Sequence, residues 1–158
     1  TVADSASTDE RADGFVDYLW NNAPKVQIVA DEYGGGSKGK AQASALALLK
    51  KYPDLAGVFA VNEASTDGML LALRAAGLAG KIKLVGFDSS DSLLAALEKK
   101  EISGLIVQNP AQMGYLGIRS AVNAINNRPP KEKKLLIEAE TVTPENLKNP
   151  EIQKLLVP

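Results

Sequence analysis

Residues 55–108 read LAGVFAVNEASTDGMLLALRAAGLAGKIKLVGFDSSDSLLAALEKKEISGLIVQ, and this stretch decides the fold. Its hydrophobic period switches back and forth between strand and helix. Leu55 to Val61 is a near-continuous apolar run, the mark of a strand buried on both faces. Glu63 to Ala76 has helical spacing and is stopped by Gly77, the residue that most easily takes the left-handed C-terminal position. Ile82 to Phe87 is a second apolar run. Ser90 to Lys100 is a helix with Leu93, Leu94 and Leu97 on one face, and Leu105 to Val107 is a third strand. Short apolar strands between helices predict an α/β fold, a doubly wound parallel sheet with helices on both faces.

The alternation continues outward. Ser7 and Glu10 have capping-box spacing ahead of the apolar stripe Ala12, Phe15, Val16, Leu19 and Trp20, and Pro24 ends that helix. Val26 to Ala30 reads as a short strand. Gly34, Gly35 and Gly36 form a loop, after which Ser37 is placed to cap a helix running to about Tyr52. Pro110 opens a helix to about Asn126. Leu135 to Val142 reads as a final strand and Glu151 to Leu156 as a short terminal helix. The linker-like composition of Asn126 to Lys134 is too short to mark a boundary, so residues 1–158 read as a single lobe. The polar opening, Thr1 to Ser7, has no initiator Met and no strand before its helix, and reads as a chain entered in mid-fold.

Composition narrows the chemistry. The 158 residues include 18 Lys+Arg and 19 Asp+Glu but no His and no Cys. There is therefore no imidazole base, no thiol nucleophile, no Ser-His-Asp triad and no zinc–thiolate site. A net charge of −1 gives no overall attraction to nucleic acid or anionic membrane. No metal or cofactor is implied.

In parallel sheets, ligands bind beyond the carboxyl ends of the strands. Three consecutive strand ends here carry Asn62, Asp88 and Gln108: an amide, a carboxylate and an amide. They offer donors and acceptors without a nucleophile and its activating base, an inventory suited to a neutral polyhydroxylated ligand.

The segments VFAVNEASTDGMLLALRAAG, KLVGFDSSDSLLAALEKKEISGLIVQNPAQMGYLGIRSAV and TVTPENLKNPEIQKLL, with the opening SASTDERADGF, resemble the periplasmic sugar-binding proteins of the ribose-binding type. These are soluble receptors of bacterial ABC transporters. The resemblance implies one lobe of a type I periplasmic binding protein fold, the C-terminal lobe of two that close on a sugar, entered after that lobe's first strand. It implies a monosaccharide or related polyol as ligand, the membrane component of an ABC transporter as partner, and no enzymatic activity. The implied location is the periplasm, or the outer face of a Gram-positive cell. Arg11, Asn62, Asp88 and Gln108 match positions that contact sugar in the family. The family often stacks an aromatic ring on the sugar from the loop that is here residues 31–36. The alignment puts Gly36 at that position, and Tyr33 is the nearby candidate. The helix over about residues 111–126 packs on the first lobe in the family. Its spread of apolar residues, Met113, Tyr115, Leu116, Ile118, Val122 and Ile125, calls for burial against a missing N-terminal lobe or a second chain.

Each site residue has a plainer reading: Arg11 paired with Asp9 or Glu10, Asn62 a turn residue, Asp88 or Ser90 a helix cap, Gln108 surface. Ser65, Thr66 and Asp67 read as solvated first turns, and Lys99-Lys100-Glu101 and Lys131-Glu132-Lys133-Lys134 as solvated faces. Two alternative functions stand beside the receptor. Gly34 to Lys40 has the phosphate-loop spacing G-x-x-x-x-G-K of a nucleotide-binding enzyme, but Ala41 stands where Ser or Thr holds Mg²⁺. The effector domain of a sugar-responsive transcriptional repressor shares the implied fold.

Overall fold

The computed structural model describes residues 5–128 and 134–156, and the basic run at 131–133 lies outside them. Four strands, β1 (Gly57–Phe59), β2 (Lys83–Phe87), β3 (Gly104–Val107) and β4 (Glu140–Val142), form one sheet in the order β1-β2-β3-β4. β1, β2 and β3 run parallel, and β4 adds to β3 antiparallel. The helices are α1 (Ala6–Asn22), α2 (Lys38–Lys51), α3 (Glu63–Ala75), α4 (Asp91–Glu98), α5 (Pro110–Ile125) and α6 (Pro150–Leu156). The expected α/β alternation is therefore present from β1 to α5.

The core lies between the sheet and the helices flanking it. Leu73, Leu84, Leu93, Leu97, Ile102 and Leu105 are completely buried, and each such side chain contributes roughly 1.5–3 kcal/mol. α2 lies against α3 at glycine distance: a Cβ on Gly68 would stand 2.5 Å from the Ala41 Cβ. Gly77, at φ +67°, ends α3 as its sequence position predicts.

Several local expectations are corrected. Val26 to Ala30 forms no strand and joins no sheet. It faces β1 across an apolar cavity of about 210 Å³ lined by Phe15, Val26, Val29, Leu48, Val58 and Phe59, among others, so its backbone has no ladder partner within reach. The final strand covers only residues 140–142. It runs antiparallel to β3 with Val142 opposite Leu105 and Glu140 opposite Val107, so the residues before Glu140 pass beyond the end of β3. No capping box forms at Ser7. α1 starts two residues earlier than that cap implies, at Ala6, with Ser5 at the cap position. Ser37 and Ser90 occupy cap positions without a side-chain cap bond. Thr66 and Asp67 are buried, not solvated.

Glu101 is not simply solvated either. It accepts two hydrogen bonds from the Arg74 guanidinium, from Nε at 3.2 Å and from Nη2. That hydrogen bonding holds its carboxyl below the ordinary glutamate range. A carboxylate whose pKa is depressed by folding stabilises above its unfolded pKa and loses that contribution as pH falls through the folded one. Glu101→Gln is expected to lower stability at pH 7 by about 0.5 kcal/mol, the scale of a partly exposed pair. The difference from the parent should shrink as the pH falls through the folded-state pKa, as read by paired thermal melts.

Candidate functional site

The three strand ends are drawn together by one side chain. Arg11, in the second turn of α1, donates from Nη1 to the Val61 carbonyl at 2.8 Å and from Nη2 to Gln108 Oε1 at 3.2 Å. Its guanidinium carbon lies 3.8 Å from the centre of the Phe87 ring. Val61 precedes Asn62, and Phe87 precedes Asp88. A single cation thus touches the segment behind each of the three predicted polar groups. The bonds go across the sheet and not to Asp9 or Glu10. A guanidinium suits this work because its fork of donors is planar and it stacks on aromatic faces.

Asp88 sits at φ +69°, a left-handed conformation that Asp tolerates better than most residues. Its backbone N–H donates to the Ile106 carbonyl at 2.9 Å, which carries the β2–β3 pairing one residue past β2. Its Oδ2 accepts the Glu63 N–H at 3.2 Å. Glu63 is the first residue of α3, so the carboxylate rests on the positive end of that helix. Asn62 is the α3 N-cap, with Oδ1 accepting the Ser65 N–H at 2.9 Å, and its φ of −158° is ordinary extended backbone. The cap thus takes one end of its amide and leaves the other free.

Asp88 Oδ1, Asn62 Nδ2 and Gln108 Nε2 have no partner among the described residues. None of them is a buried unsatisfied atom, so all three meet solvent. The result is one acceptor and two donors at the strand ends. No cluster of metal-ligating side chains occurs among the described residues.

Tyr33 is 64% exposed on the loop after Ala30. Its neighbour Gly34 packs closely on α3, since a Cβ there would meet Ser65 Oγ at 2.7 Å. Sequence reasoning missed Phe87 as the platform for Arg11. The only available signal was an aromatic residue immediately before a strand-end carboxylate.

The phosphate-loop alternative does not hold. No strand leads into Gly34, and Ala41 is buried against α3, where no metal ligand could stand.

A mainly parallel sheet flanked by helices, with polar side chains at the carboxyl ends of its strands, is the architecture of an α/β domain. Residues 1–129 match the model of the periplasmic binding protein domain, and the chain belongs to that family. It is 29% identical over 133 residues to the D-ribose/D-allose-binding protein of Pseudomonas aeruginosa, an alignment covering 84% of this chain and 41% of that one. The ribose import binding protein RbsB of Bacillus subtilis is 27% identical over 127 residues, covering 80% of this chain and 40% of its own. Among solved structures, a carbohydrate transporter solute-binding protein from Agrobacterium radiobacter in complex with D-arabinose superimposes with a TM-score of 0.91 at 31% identity. That match covers 99% of this chain and 53% of the other. The chain spans about two fifths of the length of the curated relatives it matches. These relatives are transport receptors, which supports neither the nucleotide-binding enzyme nor the repressor.

Proposed function

We propose that this chain is one lobe of a two-lobed receptor that binds a monosaccharide or related polyol and delivers it to the membrane component of an ABC transporter. The observation that supports this reading is Arg11, which bonds the Val61 carbonyl and Gln108 and stacks on Phe87, the neighbours in sequence of Asn62 and Asp88. In it, Arg11 and the two amides donate to ring and hydroxyl oxygens while Asp88 accepts from hydroxyls. Tyr33 supplies an aromatic face if the loop closes. The receptor performs no bond-breaking step. Binding works by hinged closure of the two lobes around the sugar, and specificity follows from matching every buried hydroxyl, since each unmet polar group costs roughly 1–3 kcal/mol. Nucleic acid is not a partner in this reading, and the protein works in the periplasm or at the outer cell surface.

The first lobe, or a second chain, covers α5. No residue of that helix is buried, and Tyr115, Ile118 and Ile125 are 63%, 70% and 80% exposed. A helix so apolar and so open is an interface awaiting its partner. Among the described residues no helix is long and apolar enough to cross a membrane.

The test is a thermal-shift screen of sugars beside ATP–Mg²⁺ on the complete protein, followed by calorimetry on Asp88→Ala. The expected result is a shift with one or more sugars and an affinity about tenfold to a hundredfold weaker in the variant. A shift with ATP alone would overturn the reading, and unchanged affinity would remove Asp88 from the site.

A further inference from the structure

We propose that Thr66 is a positioning residue for sugar binding. Its buried hydroxyl splices the end of β1 to the end of β2, and so holds Asn62 and Asp88 at a fixed spacing. The inference rests on the receptor reading above for its functional meaning, but its structural content stands without it.

Thr66 lies in the first turn of α3 with no solvent exposure at all. Its Oγ1 accepts the Phe87 N–H at 2.9 Å and lies 2.8 Å from the Asn62 carbonyl, to which it donates. The Phe87 carbonyl is farther, at 3.4 Å. The sheet explains why a hydroxyl is needed here. The Ala60 N–H donates to the Val85 carbonyl. In a parallel ladder the next bond would run from the Phe87 N–H back to the Ala60 carbonyl. The chain instead leaves the sheet after Ala60 to begin α3, and the Phe87 N–H would be orphaned. Thr66 Oγ1 stands in as its acceptor. One side chain therefore joins the residue before Asp88 to the carbonyl of Asn62.

Gly86 makes the splice possible. A Cβ at that position would lie 2.1 Å from Thr66 Cγ2 and 2.7 Å from Oγ1. Helix and strand approach at a distance only glycine allows, so the Thr66 methyl is fixed as well as its hydroxyl. This pairing of a threonine on a helix with a glycine on a strand has no local sequence signature, and a first-turn Thr ordinarily reads as solvated.

Two variants separate hydroxyl from shape. Thr66→Val keeps the buried volume and loses both hydrogen bonds, whereas Thr66→Ser keeps the bonds and loses the methyl. The first measurement is amide exchange by NMR on the complete protein. In Thr66→Val the Phe87 and Glu63 amides should exchange at least about tenfold faster, while the core amide of Leu97 is unchanged, and Thr66→Ser should restore protection. A merely destabilising substitution accelerates all three together, and that outcome, or no change at Phe87 and Glu63, overturns the proposal. The second measurement is calorimetry with D-ribose, D-allose and D-arabinose. For a sugar bound by the parent, Thr66→Val should weaken affinity about tenfold and Thr66→Ser by less than about threefold. The α6 substitution Ile152→Val, which trims a buried residue far along the chain from the rim, should leave it unchanged. Equal affinity in Thr66→Val overturns the positioning role. If the parent binds none of the three sugars, the receptor reading loses its support, and the exchange pattern alone decides the splice.

Discussion

Arg11→Ala, in the complete protein, is expected to weaken sugar binding by about a hundredfold or more. Hydrogen bonds from a charged donor contribute about 1.5–3 kcal/mol each, and about 2.7 kcal/mol already corresponds to that factor. The substitution removes more than a ligand contact. It releases the Val61 carbonyl and Gln108 Oε1 from their common donor and uncovers the face of Phe87. Arg11→Lys should recover little, because a point charge cannot reach a carbonyl and an amide at once while stacking on a ring. Calorimetry on the three proteins checks this. A lysine variant with parental affinity would mean that charge alone matters and that the fork geometry does not.

The second large effect is on stability. Gly68→Ala should destabilise the fold by about 3 kcal/mol, the upper end of the usual cost of overpacking. A Cβ there would meet Ala41 Cβ at 2.5 Å, Gln42 N at 2.7 Å and the Ala41 carbonyl carbon at 2.8 Å. Two of these are backbone atoms, so relief requires α2 to move away from α3 as a unit. The expected fall in Tm is roughly 6–12 °C for a chain of this size. Gly39→Ala is the contrasting case. It adds the same methyl to a helical glycine with nothing within 4 Å. There the gain in helix propensity should leave stability unchanged or raise it by up to about 1 kcal/mol. A Gly68→Ala melt indistinguishable from the parent would show that the two helices are not in fixed contact.

The stretch from Leu55 to Gln108 was legible because its apolar runs and helical stripes alternate and Gly77 punctuates them where a left-handed residue is needed, although β1, at the sheet edge, is only partly buried. The candidate rim was legible for the same reason. A polar residue immediately after an apolar strand has few places to go except the carboxyl edge of the sheet. What could not be read was anything requiring a partner across space. Val26 to Ala30 has strand composition, but pairing needs a neighbour, and a cavity lies where that neighbour would stand. Thr66 looks like any polar residue in a first helical turn, and its burial follows from the absence of a side chain at Gly86, twenty positions away. Phe87 reads simply as the last core residue of a strand, and its second role exists only because α1 carries a cation over it.

The backward twist of the chain at Asp88 also limits which residues can replace it. A residue with φ near +69° must come from a short alphabet, chiefly Gly, Asn and Asp, since others pay roughly 1–2 kcal/mol for the same turn. Evolution can therefore mute the charge at this spot by drifting to Asn, or delete the group by drifting to Gly. Lengthening it to Glu would both misplace the oxygens and strain the turn. Asn62 and Gln108 face no such backbone filter, and what restricts them is their side-chain bonds, the α3 cap at Asn62 and the Arg11 contact at Gln108.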